Sequence, residues 1–446
     1  MMVNGIILYF LGGTRLKKFF QLEQNNTTIQ TEILAGLTTF LTMAYIIVVN
    51  PVILSSAGIP FNQIFMATIV SAVVGTTWMA LAANYPIGIA PGLGLNAYFV
   101  TVVAGGVDYK TAFSSVFVAG VIFLLLSFTT FRERLIGAIP ESLKSAIAAG
   151  IGLFIAFVGL RLSGVVVGNE ENLVALGNLK DPSVLLTLFG IILSISLMIL
   201  NVKGALFIGM VVITIISYFL GMIQFDGFIA IPDFGSDLMI TNPLTPFIDV
   251  VSNGLYGAVI SFLLITIFDT TGTMIAVTKR AGLMKDGNLK NAKQALLSDA
   301  IGTTVGAIFG TSPTTAFAES GTGVAAGGRT GLTALTIAIM FALSSFFYPL
   351  FSVISSVSAI TSPALVIVGT IMMASTAEID WFDLSEAFPA FIVILTMPLT
   401  GSIATGLALG FISYPITKFV SGQAKTVHPF VYIFAVLFIF QLFFLS

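Results

Sequence analysis

The chain has 446 residues, of which 57% are hydrophobic and only 9% are charged, with a mean hydropathy of +1.05 and a formal net charge of −2. An ordinary soluble domain carries about 25% charged residues, so this composition excludes a soluble fold. The chain has no Cys and a single His, His428, which excludes thiolate or His-built metal sites and a Ser-His-Asp hydrolase. We expect no metal, cofactor or enzymatic activity. The low net charge, without basic runs, argues against a nucleic-acid partner.

Polar breaks divide the chain into apolar segments, and a helix needs roughly 20 apolar residues to cross a bilayer. We interpret fourteen segments as membrane spans: 32–50, 65–83, 85–104, 112–130, 142–160, 183–200, 204–223, 254–277, 292–309, 311–326, 331–357, 363–376, 385–400 and 402–420. A further apolar stretch, 429–445, is either a fifteenth span or a helix packed against the bundle. The expected fold is an all-α integral membrane protein with about fourteen transmembrane segments.

Loop charges predict the orientation of these spans, because Lys and Arg concentrate in cytoplasmic loops. With the N-terminus in the cytoplasm, all 18 Lys and Arg except Lys110, Arg161 and Lys180 fall into internal loops. If one span had been missed, every later loop would lie on the other side of the membrane and the positive charges would no longer collect on one side. The uneven distribution of Lys and Arg therefore also favours the count of fourteen spans. We expect a multi-pass protein of the cell membrane with a cytoplasmic N-terminus.

Two spans differ from the others in composition. Span three contains NYPIGIAPGLGLNAY and span ten contains GTSPTTAFAESGTGV. Each has Pro and a short non-helical stretch, followed by a Gly-rich turn that could start a half-helix. Aligned from Pro86 and Pro313, the two stretches also agree at Gly94 and Gly321. Non-helical backbone inside a membrane must be buried in protein or line a cavity, so we expect these two stretches to lie inside the protein.

These two spans are seven apart, and an odd repeat of seven spans places the second copy upside down in the membrane. Interrupted helices at corresponding positions of inverted halves indicate the substrate site of a transporter. The predicted organisation is a cytoplasmic N-terminal segment at 1–30, a first inverted repeat at 31–223, an external loop at 224–252, a second inverted repeat at 253–421, and a C-terminal segment with one apolar helix at 422–446.

Acidic residues within spans are costly and indicate function by default. Asp269 lies mid-span in ITIFDTTGT. We favour a carboxylate that binds substrate or a proton over one that is only hydrogen-bonded to the neighbouring threonines. Asp299 lies near the predicted cytoplasmic end of span nine, within reach of the basic loop 281–291. We assign it a structural role as a charge or cap partner.

Glu319 lies where span ten should begin its half-helix, and helix N-termini present unpaired N–H groups and a positive dipole end. A carboxylate there can accept hydrogen bonds from the ring N–H groups of a ligand. The alternative is a simple helix-cap acid. Phe317 could stack on a flat aromatic ligand or belong to the core. Ser320, which follows Glu319, is counted in the same candidate site.

Span three contributes two further candidates. Asn96 offers both a donor and an acceptor, although it could equally be a helix-packing amide. Gly94 would let the backbone approach a ligand closely. The predicted substrate-binding residues are Glu319, Asp269, Asn96, Phe317, Gly94 and Ser320, with Asp269 and Glu319 as candidates for proton coupling.

Several stretches, taken together, point to one family. They are TEILAGLTTFLTMAYIIVVNP (31–51), NYPIGIAPGLGLNAYF (84–99), FDTTGT (268–273), RAGLMKDG (280–287), TSPTTAFAESGTGVAAGGRTG (311–331) and SPALVIVG (362–369). From about Phe19 onward, the chain resembles the AzgA-like branch of the nucleobase–cation symporter-2 family, the bacterial guanine/hypoxanthine permeases.

The resemblance implies two inverted repeats of seven segments, with a core domain that holds the substrate and a gate domain packed against it. It implies a short strand and a half-helix in each of spans three and ten, which meet at mid-membrane. It also implies that Asp269 and Glu319 contact a purine base and that Asn96 belongs to the same site. The implied activity is import of guanine or hypoxanthine, with adenine as a further candidate, by proton symport. A homodimer is a further expectation, and which purine is preferred is left open.

Two other functional classes compete with this interpretation. An anion transporter or channel of the same architecture would use the half-helix N-termini without a carboxylate, which Glu319 argues against. A membrane-embedded enzyme would need more catalytic groups than two acids. The sequence has no GxxxxGK[ST] motif, so an ATP-driven pump is disfavoured.

Overall fold

The computed structural model describes residues 13–129, 138–225, 227–233, 239–285, 288–289 and 291–444. The start of the predicted N-terminal segment and part of the predicted external loop lie outside these ranges. So do three of the positively charged residues assigned to internal loops, Arg132, Arg134 and Lys290.

Helices dominate the described part of the chain. Their bounds are α1 Gly13–Phe19, α2 Ile29–Met43, α3 Ile46–Ser55, α4 Phe61–Trp78, α5 Leu93–Ala104, α6 Tyr109–Leu126, α7 Glu141–Leu162, α8 Pro182–Ile199, α9 Ala205–Phe219, α10 Pro246–Ser252, α11 Tyr256–Arg280, α12 Ala292–Phe309, α13 Ser320–Ala325, α14 Gly331–Ser344, α15 Tyr348–Ser355, α16 Ser358–Met372, α17 Leu384–Thr400, α18 Ile403–Val420 and α19 Pro429–Phe444. A π-helical turn, Met79–Ala83, extends α4, and 3₁₀ turns occupy Ser345–Phe347, Met373–Glu378 and Ala424–Thr426.

Within the described ranges, six short strands pair into three two-stranded antiparallel sheets. Their bounds are β1 Ile89–Pro91, β2 Val166–Asn169, β3 Leu173–Leu176, β4 Met284–Lys285, β5 Asn288–Leu289 and β6 Thr314–Ala316. The β2–β3 and β4–β5 hairpins lie between predicted spans, where no strand was predicted. The β1–β6 pair joins the two interrupted spans, which confirms the prediction of a strand and a half-helix in each.

Among the described residues, eight helical stretches are long and apolar enough to cross a membrane, and five shorter helices are also apolar. The predicted count of fourteen spans stays a prediction. Two helices extend beyond the predicted span boundaries. The helix after Tyr45 continues through Pro51 to Ser55, and α16 begins at Ser358 and contains Pro363. Proline is tolerated inside membrane helices because neighbouring groups satisfy the carbonyl that it leaves unpaired.

The helices pack in two groups, with more contacts within each group than between them. One group comprises α2, α3, α4, α6, α11, α12 and α14, and the other comprises α7, α8, α9, α16, α17 and α18. The β1–β6 sheet contacts α4, α11 and α12, so it belongs to the first group. This division is the arrangement expected of a core and a gate.

Helices α4 and α12 make reciprocal contacts with one another. Near the start of α4, Gln63 donates to the Phe309 carbonyl at the end of α12, over 2.8 Å. At the start of α12, Asn291 donates to the Ala83 carbonyl, which follows α4, over 3.0 Å. Each helix therefore begins beside the end of the other. Such reciprocity is what a second half inverted relative to the first would produce.

The same reciprocity fixes the two strands. The Thr76 hydroxyl on α4 accepts the backbone N–H of Ile89 in β1 at 2.9 Å, and the Thr303 hydroxyl on α12 accepts that of Thr314 in β6 at 3.0 Å. A buried N–H without an acceptor is destabilising, so each threonine holds one unwound segment against a helix of the bundle.

Candidate functional site

Glu319 is the residue immediately before α13, where the sequence predicts the start of a half-helix. Its side chain makes no capping hydrogen bond to that helix. Instead, its Oε1 atom accepts a hydrogen bond of 2.7 Å from the hydroxyl of Tyr45, which lies between α2 and α3. The geometry therefore does not fit a simple helix-cap acid, because the carboxylate is directed towards span one.

The N-terminus of α13 does not present free donors. Its first three N–H groups each donate to the carbonyl oxygen three residues earlier, over 2.9–3.1 Å. The expectation of unpaired N–H groups at this helix start is therefore wrong, because the tight turn before the helix already satisfies them. An anion could not bind here through these groups without breaking that turn.

Asp269 is the second acid of the candidate site and lies in the middle of α11. Its carboxylate lies within electrostatic range of Glu319 and close to the hydroxyl of Thr315 in β6. Both acids are partly exposed, whereas every residue of β1 and β6 is buried. Ala318, between β6 and Glu319, is exposed. The two acids thus lie together beside the β1–β6 sheet, and each is partly exposed.

Asp299 lies deeper than the sequence suggested. The predicted position was near a helix end, but the side chain is fully buried in the middle of α12. It accepts hydrogen bonds from the hydroxyls of Thr270 on α11 and Thr314 in β6, the latter at 2.8 Å. Adjacent strand residues point to opposite faces, so Thr314 donates to Asp299 while Thr315 points to the other side, close to Asp269. The structural role of Asp299 stays a prediction, and its partners Thr270 and Thr314 lie beneath the candidate site.

Asn96 and Gly94 lie in the first turns of α5 and contact protein. Asn96 is fully buried, and its Oδ1 atom accepts a hydrogen bond from the hydroxyl of Ser312, just before β6. Its Nδ2 atom has no hydrogen-bond partner among the described residues. A Cβ atom on Gly94 would lie 2.4 Å from Cγ2 of Ile151 on α7. The close approach that this glycine allows is therefore between α5 and α7.

Phe317 and Ser320 hold the two interrupted spans together beyond the sheet. The backbone N–H of Phe317 donates to the Gly88 carbonyl, and the N–H of Gly88 donates to the Ser320 hydroxyl, each over 3.0 Å. The Phe317 side chain is only 6% exposed and belongs to the main core cluster. Both residues therefore lie beside Glu319 and also support the backbone around it.

The structure brings Glu319 and Asp269 together and adds two residues that the sequence analysis did not single out, Tyr45 and Thr315. Tyr45 lies within the quoted TMAYIIVVNP stretch and is the only tyrosine of span one, which is the signal that could have identified it. Thr315 could have been found as the neighbour of Thr314 in the strand of span ten. Nothing in the local pattern of either residue shows which acid it contacts.

Comparisons with known proteins agree over almost the whole chain. A family model described as a permease family, Xan_ur_permease, matches residues 30–409. The chain is 60% identical to the guanine/hypoxanthine permease PbuO of Bacillus subtilis, over 96% of this chain and 100% of the relative. It is 40% identical to the adenine permease AdeP of Escherichia coli, over 98% of this chain and 97% of the relative.

Among solved structures, the fold is similar to the transmembrane domain of a cyanobacterial bicarbonate transporter, BicA. The TM-score is 0.59 at 17% sequence identity, and the match covers 84% of this chain and 96% of that domain. At this identity the similarity shows the fold alone. It shows that a helical membrane transporter fold surrounds the two acids.

Proposed function

Because the chain belongs to the nucleobase–cation symporter-2 family of permeases, we propose that it imports purine nucleobases by proton symport across the cytoplasmic membrane. Guanine and hypoxanthine are the proposed substrates, with adenine as a further candidate, since relatives at 60% and 40% identity are named for these bases. Those relatives are named as transporters, and the chain is not an enzyme.

One observation carries the proposal: Asp269 and Glu319 lie close to one another beside the β1–β6 sheet, and both are partly exposed. Ionised carboxylates only accept hydrogen bonds, and a purine presents ring N–H donors along its edge. Two acceptors on opposite elements can hold one flat ring in a defined orientation. We therefore assign the base to the space between α11 and the start of α13.

The fold by itself does not distinguish a base from an anion, since a bicarbonate transporter shares it. The side chains favour the base. Two carboxylates repel an anion, and the N–H groups at the start of α13 already donate to carbonyl oxygens of the preceding turn. A neutral ligand that carries N–H groups suits this site better than bicarbonate or chloride.

The same carboxylates are the proposed carriers of the coupled proton. A proton that moves with the substrate must bind a group near the substrate, and Asp269 and Glu319 are acids that meet this condition. We further propose that the N-terminus is cytoplasmic and that the gate-side helices α7, α8, α9, α16, α17 and α18 support a homodimer.

The test is uptake of labelled guanine, hypoxanthine, adenine, xanthine and uracil, with bicarbonate as the anion control, in a host that lacks its own permeases. We expect purine uptake that a protonophore abolishes and that does not need sodium. Bicarbonate uptake without purine uptake would overturn the substrate assignment. Sodium-dependent purine uptake that is insensitive to the protonophore would exclude proton symport and leave the substrate assignment intact.

A further inference from the structure

Tyr45 lies between α2 and α3, in the helix group that contains the β1–β6 sheet. The proposed mechanism gives it no role. Its side chain is only 2% exposed, and it lies where span one is interrupted, between the end of α2 at Met43 and the start of α3 at Ile46. A buried tyrosine hydroxyl needs a hydrogen-bond partner. Its partner is the carboxylate of Glu319, 274 positions further along the chain.

Contacts between span one and α13 fix this pair in register. Tyr45 donates to Glu319 over 2.7 Å, and one helical turn earlier Thr42 lies 3.1 Å from Thr322, measured between their hydroxyl oxygens. The partners run in opposite order along the two segments, so span one and α13 are antiparallel. A third contact continues the series, because a Cβ atom on Gly323 would lie 2.1 Å from the Thr39 hydroxyl.

This register decides the direction of the Glu319 carboxylate. The side chain does not cap its own helix, so α13 does not fix its rotation. A hydrogen bond to Oε1 restricts rotation about the last carbon–carbon bond and thereby sets where Oε2 points. Tyr45 also lies within electrostatic range of Asp269, so its hydroxyl is near both acids of the candidate site.

We infer that Tyr45 is a positioning residue for substrate recognition: its hydroxyl holds Glu319 in the orientation that accepts a ring N–H of the purine. The inference rests on the proposed function. It differs from a purely structural role, because loss of the hydroxyl should weaken purine binding only through Glu319. It also differs from direct contact of Tyr45 with the base, which would act independently of Glu319.

The test compares Tyr45→Phe, which removes only the hydroxyl, with Tyr414→Phe. Tyr414 donates to Glu386 over 2.9 Å, on α18 and α17 of the other helix group, so the control removes the same kind of hydrogen bond away from the site. At equal surface abundance, Tyr45→Phe should raise the Km for hypoxanthine about tenfold, the usual worth of one hydrogen bond to a charged group. Tyr414→Phe should leave Km unchanged.

A double-mutant cycle with Glu319→Gln, measured as the Kd for hypoxanthine of the purified proteins and therefore independent of transport, separates positioning from direct contact. In the Glu319→Gln background, the effect of Tyr45→Phe on Kd should fall below about threefold, because no charged carboxylate remains to be held. A full tenfold effect in both backgrounds would overturn the inference, and so would a wild-type Km for Tyr45→Phe in the parent protein.

Thermal stabilisation of the purified protein by saturating hypoxanthine distinguishes failure of this inference from failure of the proposed function. Stabilisation of the wild type with a smaller shift in Tyr45→Phe supports the inference. Equal shifts in both proteins overturn it and leave the proposed function intact. A wild type that no purine stabilises overturns both.

Discussion

Gly302 of α12 lies directly against Gly75 of α4: a Cβ atom on Gly302 would be 3.4 Å from the Gly75 Cα atom. The same added atom would be only 2.7 Å from the hydroxyl of Thr314. Small residues at a crossing of membrane helices let the backbones approach closely. Here the absence of a side chain on Gly302 also leaves room for Thr314 to contact Asp299. The crossing of α4 and α12 therefore supports the hydrogen bonds beneath the candidate site.

Gly302→Ala should therefore destabilise the protein by about 1–3 kcal/mol, the usual cost of overpacking a closely packed core. The measurement is thermal unfolding of the purified protein in detergent. Gly168→Ala is the control, because an added Cβ atom at Gly168 has no atom within 4 Å among the described residues. Equal unfolding temperatures for the two variants would show that the α4–α12 crossing can open without cost.

Lys418 allows a second stability prediction, at the end of α18. Its side chain is 4% exposed, and its Nζ atom lies 2.6 Å from Oε1 of Glu386. Lys418→Met leaves that carboxylate without its cation, which should cost up to about 3 kcal/mol, less than for a fully buried pair because Glu386 is partly exposed. Thermal unfolding against the exposed-site variant Lys425→Met measures the effect, and identical curves would contradict the prediction.

The sequence was most informative where the backbone itself is unusual. The Pro and Gly residues of spans three and ten act within a few residues, so local chemistry was enough to predict the non-helical stretches and the two half-helices that follow them, while the strands β1 and β6 were implied by the family resemblance. The position of Glu319 before α13 follows from the same pattern. Proline was a poorer guide elsewhere, since Pro51 and Pro363 lie inside helices whose neighbours stabilise them.

Contacts between distant elements could not be predicted in this way. Tyr45 donates to Glu319, and Asp299 accepts hydrogen bonds from residues of both α11 and β6. These contacts depend on how α2, α11, α12 and the β1–β6 sheet pack against one another. Periodicity and composition describe each segment alone. They place an acid in a span, but they do not show which hydroxyl contacts it or how deeply it is buried.

The orientation of the protein in the membrane gives a third prediction. Loops that carry most of the Lys and Arg should be cytoplasmic. A reporter inserted in the 281–291 loop should therefore be active as a cytoplasmic fusion, and one inserted in 226–246 should be active as an external fusion. The two insertions control for each other, and the reverse pattern would show that the span order is wrong.

The fourth prediction concerns the carboxylate of Glu319 and its comparison with Asp299. Leaving a ring N–H of the purine unpaired in the site costs about 1–3 kcal/mol, and more where a charged partner is lost, which corresponds to one to two decades in affinity. Glu319→Gln should keep normal surface abundance but raise the purine Km strongly or abolish uptake. Glu319→Ala should be more severe, because the amide retains one acceptor.

Asp299→Asn should affect transport less than either Glu319 variant, because Asp299 is fully buried and contacts the threonines beneath the site. Its amide keeps one acceptor for Thr270 or Thr314, so the expected effect is a lower unfolding temperature with a nearly unchanged Km. The measurement is labelled purine uptake at several concentrations, normalised to surface abundance. If Glu319→Ala transports like the wild type, Glu319 does not bind the base, and Asp269 becomes the main candidate for that role.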